Sequence, residues 1–223
     1  VWARDESGAL WTMEYDEWGN TARITGPSGE VEQFGYDALR RMTWQRDAAG
    51  VERRIEYNPD GLVRSVYAAG LRRASFEYSR RKDRVAALDA RGNRTVFEYD
   101  LRHFMTAVVS PTGERVEYRY RGDGKMTEKS VGTVSRWTYA YDARGRLSGK
   151  TQVETGLTWR YEYDRTGALT AEVDATGART EYHYDGAGRL RRVVGPDGAA
   201  WVYERDAAGN VVRRVDPRGA EER

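Results

Sequence analysis

The sequence predicts an all-β fold, an antiparallel meander of about twenty short strands built from ten 21-residue repeats. Three observations carry that prediction. A tyrosine returns at a fixed interval, apolar and polar residues alternate just before it, and an Asp-x-x-Gly turn follows it.

The tyrosines set the frame. Tyr15, Tyr36, Tyr57, Tyr78, Tyr99, Tyr120, Tyr141, Tyr163 and Tyr184 stand 21 residues apart, with one interval of 22 between Tyr141 and Tyr163. The tenth place holds Arg205, in "YERDAAG". The additional residue falls near "QVETG", which predicts a longer turn or a β-bulge there. A catalytic motif is needed once, whereas one written in every repeat reads as architecture.

The first strand of each repeat ends on that tyrosine. Two residues before it stand Met13, Phe34, Ile55, Phe76, Phe97, Tyr118, Tyr139, Tyr161, Tyr182 and Tyr203. The residue between is mostly polar, as at Glu14, Glu56, Glu77, Glu98, Glu162 and Glu204. Successive side chains of a strand point to opposite faces, so rings are expected on one face and carboxylates on the other. Fourteen of the fifteen tyrosines fall at two repeat positions, which assigns them to packing.

After the tyrosine the chain turns. The pairs Asp16 and Gly19, Asp142 and Gly145, Asp164 and Gly167, Asp185 and Gly188, and Asp206 and Gly209 suit a type I turn. The aspartate accepts a backbone N–H there, and the glycine lets the chain reverse. The repeats at Tyr36, Tyr78 and Tyr99 lack the glycine, and Tyr120 is followed by Arg121. A second strand carries Val63, Met105, Met126, Leu147, Leu169, Leu190 and Val211, expected to pack against the rings. Tyr67, Leu88, Val109, Val173, Val194 and Val215, four residues on, are expected on the same side. Turns such as "SPTG", "DATG", "GPDG" and "DPRG" then close the repeat. No stretch sustains a 3.6-residue period, so helix has no support.

Composition narrows the function. The chain has 37 basic and 35 acidic residues, a net charge of +2, which argues against a dedicated nucleic-acid binder. With 12% aromatic residues it does not read as disordered. Without cysteine there is no disulfide framework and no thiolate metal site. No apolar run approaches a membrane span, and no signal-peptide core is visible. The chain starts inside a repeat, since "DESG" at Asp5 is already a second turn, and it ends inside one, soon after "DPRG". Residues 1–223 are therefore expected to be one array cut mid-repeat at both ends.

The pattern resembles the YD repeat, also called the RHS repeat, in "YDARGRL" at Tyr141, "YDRTGAL" at Tyr163, "YDGAGRL" at Tyr184 and the intervening "GPDG" and "DPRG". The resemblance covers essentially the whole chain. It implies a curved β-sheet that forms part of a hollow shell. In bacterial Rhs polymorphic toxins and the C components of insecticidal toxin complexes such a shell encloses a C-terminal toxin domain, and teneurins carry a related shell at the animal cell surface. The implied role is non-enzymatic: encapsulation and delivery of a toxin by a secreted or exported bacterial protein in interbacterial competition. The implied partners are the enclosed toxin domain, the remaining shell repeats of the parent chain and a secretion-apparatus component, with no cofactor. A carbohydrate-binding or adhesive module is the alternative.

Geometry limits the share of such a shell. Twenty strands at about 4.8 Å give a ribbon of roughly 95 Å. Rolled once, it would be about 30 Å across, less than the roughly 35–40 Å of a guest of 100–150 residues. The segment is wall, not container. The family's toxin-releasing shells end in an autoproteolytic aspartate pair and an Asp-Pro-x-Gly-Leu motif. Here "DPRG" at Asp216 is followed by Ala220 and falls in register as an ordinary turn, so no protease residues carry over.

The repeated glutamates, with Arg54, Arg119 and Arg160 on the same face, superficially suggest a glycosidase cleft. Catalysis by paired carboxylates needs one of them desolvated with a raised pKa, and a repeated row reads as a solvated face with cross-strand arginine partners. His103 replaces a turn glycine and His183 lies on the glutamate face, neither near a second ligand in the pattern. Trp18 and Trp44 lie outside the aromatic row and are the candidate ligand-facing residues. The blander expectation for them is contact with a neighbouring part of a shell.

Overall fold

The computed structural model describes residues 2–4 and 8–222, so the "DESG" turn at Asp5 lies outside the described residues. All regular structure among them is β-strand, and no helix long and apolar enough to cross a membrane occurs. The chain divides into two compact units, Val1–Arg115 and Val116–Arg223. The first contains β1 (Trp2–Arg4), β2 (Leu10–Tyr15), β3 (Thr21–Thr25), β4 (Val31–Tyr36), β5 (Met42–Arg46), β6 (Glu52–Tyr57), β7 (Val63–Ala68), β8 (Leu71–Tyr78), β9 (Arg84–Asp89), β10 (Arg94–Tyr99) and β11 (Met105–Val109). Strand β12 (Arg115–Tyr120) begins on the last residue of that unit. The second contains β13 (Met126–Val131), β14 (Ser135–Tyr141), β15 (Leu147–Gln152), β16 (Thr158–Tyr163), β17 (Leu169–Val173), β18 (Arg179–Tyr184), β19 (Leu190–Val194), β20 (Ala200–Arg205), β21 (Val211–Val215) and β22 (Glu221–Glu222). Within each unit every strand pairs antiparallel with its neighbours in the chain, as β4 does with β3 and β5, and β18 with β17 and β19. The predicted meander is the observed one.

The turns form as the sequence predicts. Asp16 N donates to Asn20 O at 2.9 Å, and Gly19 N donates to Asp16 O at 3.1 Å. The Asp16 carboxylate also accepts from the N–H groups of Trp18 and Asn20. This is a three-residue hairpin loop whose last residue sits in the left-handed region, where glycine has no Cβ to clash. Gly19 has φ of 84°. Arg40, Lys82 and His103, which replace that glycine, are forced to φ of 61°, 68° and 68°. The additional residue near "QVETG" enlarges a turn: Gln152 N donates to Leu157 O, and Gly156 N to Gln152 O.

One feature of the register overturns an expectation. Tyr36 faces Met42 and Gly35 faces Trp44, so Thr43 is left over as a β-bulge. The same bulge stands beside Tyr57, Tyr99, Tyr141 and Tyr184. It flips the rest of the second strand. Met42, Val63, Met105, Leu147 and Leu190 do face the tyrosines. Tyr67, Val109 and Val173 instead face Arg54, Val96 and Arg160, which puts them on the glutamate side. Leu88, Val194 and Val215 turn the same way, opposite Ser75, Glu181 and Val202. The hydrogen bond from the Tyr67 hydroxyl to Glu56 Oε2, at 3.2 Å, fits that placement.

Little of the wall is deeply buried. Among the described residues the buried apolar side chains are Ala86, Ala107 and Ala171, each at 0% exposure. Stability therefore rests on contacts between neighbouring repeats, as in other repeat proteins.

Candidate functional site

On the ring face the anchor tyrosines are fastened from one repeat to the last. The hydroxyl of Tyr36 donates to Thr21 O at 2.9 Å, that of Tyr57 to Met42 O at 2.8 Å, and that of Tyr78 to Val63 O at 2.9 Å. In the second unit Tyr141, Tyr163 and Tyr184 donate to Met126 O, Leu147 O and Leu169 O. Each acceptor is the first residue of the preceding repeat's second strand. A phenol on the adjacent strand thus satisfies a carbonyl beside the bulge, where the ladder is disturbed.

The arginine of "YDARGRL" completes the arrangement. Arg146 Nε donates to Asp142 Oδ2 at 2.7 Å, and its guanidinium lies 4.6 Å from the centre of the Tyr163 ring. Its Nη1 also donates to Asp164 O at 2.8 Å. Arg41 does the same between Asp37 and the Tyr57 ring, at 2.8 Å and 4.4 Å. A guanidinium is planar, so it can bond a carboxylate along its edge while covering a ring with its face. Turn aspartate, arginine and next tyrosine form a clasp between consecutive repeats. The sequence displayed the arginine, but its partner ring lies in the next repeat, seventeen residues from Arg146 and sixteen from Arg41.

On the opposite face the glutamates pair across an intervening strand. Arg94 reaches Glu77 at 2.7 Å, and Arg115 holds Glu98 through two bonds of 2.8 and 2.7 Å. Arg179 holds Glu162 through two more, at 2.7 and 2.8 Å. Ala86, Ala107 and Ala171 face Glu77, Glu98 and Glu162 on the neighbouring strand. A small side chain is required there, because the ion pair arches over it. The arginine hydrogen bonds hold the carboxyls of Glu77, Glu98 and Glu162 below their ordinary range, against the opposing effect of partial desolvation. A general acid needs the reverse shift. Arg54, on the predicted face, lies 3.6 Å from Glu56, yet most partners come from other strands.

The remaining candidates separate. Trp18 stands in the first turn with 54% of its surface exposed. Trp44 is half-buried over Gly35, where a Cβ would lie 1.9 Å from the indole Nε1. Gly35 occupies the glutamate position, so the ring fills the place of a carboxylate. Arg205, Gly145, Gly167, Gly188 and Gly209 are in the turns and strand end foreseen for them. His103 Nδ1 lies 2.5 Å from Asp83 Oδ1, an acid whose pKa that bond lowers. His183 Nε2 is 3.6 Å from Glu181. Among the described residues no three His, Asp or Glu side chains are grouped to hold a metal. Asp216 N donates to Ala220 O, and Gly219 N to Asp216 O, the ordinary second turn.

Antiparallel hairpins tied by a recurring clasp, with a bulge at the anchor tyrosines, define a repeat protein of the β-wall class. The chain belongs to the teneurin YD-shell family, whose pattern it matches over residues 65–220, and residues 15–52 match the RHS repeat. Its fold is similar to the crystal structure of TcdB2-TccC3-Cdc42, at a TM-score of 0.77 and 15% identity over 96% of this chain. It is also similar to TcdB2-TccC3-TEV, at 0.75 and 16% over 93%. The Tc holotoxin pore of Photorhabdus luminescens with the mutation TccC3-D651A gives 0.56 and 13% over 94%. The chain spans 14%, 12% and 16% of those chains. No curated protein matches it.

Proposed function

We propose that this chain is a non-enzymatic wall segment of an Rhs-type shell that encloses a toxin domain of its parent chain and helps deliver it outside the cell. The clasp carries the reading. In the complete repeats the conspicuous polar groups of the motif are engaged within the repeat or with its neighbour: Asp142 with Arg146, Arg146 with Tyr163 of the next repeat, and the Tyr163 hydroxyl with Leu147 O of the preceding one. A wall that excludes proteases and substrates from a guest needs continuity from repeat to repeat, and these bonds supply it. The family and the fold of the toxin-complex structures support a shell-type role.

Limited proteolysis of the full parent chain tests the proposal. A region downstream of the array is expected to survive protease in the native protein and to be digested once the shell is unfolded. Digestion at the rate of the isolated region would overturn it. A glycan array gives the contrary outcome: binding abolished by Trp18→Ala would favour an adhesive module.

A further inference from the structure

The clasp fails in the tenth repeat, and the failure gathers positive charge in one cleft. Arg189 begins the usual arrangement, its Nε donating to Asp185 Oδ2 at 2.8 Å. The ring it would cover is missing, because the next anchor is Arg205, which faces Val211 in the tyrosine's place. Both guanidinium groups approach Gly209. Arg205 Nη1 donates to Gly209 O at 3.1 Å, and a Cβ on Gly209 would lie 3.4 Å from Arg189 Nη1. Arg189, Arg191 and Arg205 line a cleft of about 250 Å³ together with Asp185, Glu204 and Tyr203.

The carboxylates of this cleft are already engaged. Asp185 is held by Arg189 at 2.8 Å, and Glu204 by Arg213 at 2.6 Å. Among the described residues neither Arg191 nor Arg205 forms an ion pair, and Arg205 Nε is buried without an acceptor. A buried charged donor left without an acceptor is destabilising. Like charges gathered in one cleft repel, and an anion relieves both conditions. The Nε and Nη2 edge of a guanidinium presents two parallel donors that match a carboxylate or a phosphate.

We propose that the Arg189–Arg191–Arg205 cleft binds an oxyanion, a phosphate group or a carboxylate, at the guanidinium of Arg205. The proposal goes beyond the wall role: this repeat exchanges a structural tyrosine for a ligand-binding arginine.

Titration of the chain with inorganic phosphate and, separately, with acetate at constant ionic strength tests it, read by the NMR resonance of Arg205 Nε–H and by Tm. A saturable shift with either anion, absent with chloride, is expected, and the stronger of the two identifies the ligand class. Arg205→Tyr restores a ring for Arg189 and a hydroxyl for Leu190 O. It is expected to raise Tm without added anion and to remove the anion-dependent rise. Arg205→Lys keeps the charge without the fork and is expected to bind at least 10-fold more weakly. A linear response indistinguishable from chloride, or an anion-dependent rise in Tm retained by Arg205→Tyr, would overturn the site.

Discussion

Lys82 shows what one residue contributes. It occupies the fourth turn position with φ of 68°, where a Cβ crowds the backbone and where most repeats place glycine. Lys82→Gly is expected to stabilise the chain by about 1 kcal/mol, since the relieved strain exceeds the entropy glycine adds to the unfolded chain. Thermal unfolding should rise by roughly 2–4 °C for a chain of this size. An unchanged or lower Tm would mean that the left-handed conformation is not strained here. His103 has the same geometry, but its ring also meets Asp83 at 2.5 Å. His103→Gly should therefore gain less than Lys82→Gly, and the difference between the two measures the histidine contact.

At the scale of strands, the arches over Ala86, Ala107 and Ala171 set side-chain size on the glutamate face. Ala171→Leu would push a branched side chain into the span between Glu162 and Arg179 and should destabilise by about 1–3 kcal/mol, as overpacking does. Glu162→Gln removes only a half-exposed ion pair and should cost about 1 kcal/mol or less. Chemical denaturation of both variants tests the ranking, and the reverse order would assign the arch to electrostatics. The contrast also shows what could be read from sequence. The turn could, because Asp16 finds Trp18 and Asn20 within four residues. The tyrosine row could, because its period is constant. The arches could not: Glu162 and Arg179 are 17 residues apart on strands separated by β17, and their meeting depends on register. That register depends on bulge residues as unlike as Ala22, Arg64, Thr106 and Val212, which share no single chemistry to mark them. The same bulge moved Tyr67 to the other face.

Over the whole chain, small contributions repeated at each turn make stability depend on pH from both sides. Hydrogen bonds from the side chains of Asn20, Arg41, Asn93, Thr166 and Asn210 hold Asp16, Asp37, Asp89, Asp164 and Asp206 below 3.8. The backbone N–H groups of Arg146 and Arg189 act first on Asp142 and Asp185, with the same result. Arg121 takes Asp123 down to about 2. A carboxylate more acidic in the folded state contributes stability above its unfolded value and loses it as pH falls through the folded one. Tm should therefore hold steady at mildly acidic pH and fall from about 4 toward 2, with Asp123 among the last to titrate. The tyrosines set the other limb. Burial raises the pKa of Tyr36 and Tyr163 above 10.0, and their hydroxyls must remain protonated to donate to Thr21 O and Leu147 O. Their contribution is full below the unfolded value and is lost as pH rises through the folded one. Circular dichroism melts across the pH range should trace a plateau with both shoulders. Replacing Tyr36 and Tyr163 by Phe should lower the plateau and flatten only the alkaline shoulder, because the phenols titrate there while the turn aspartates do not. An acid shoulder flattened instead would mean that the clasp draws its strength from the aspartate–arginine half alone.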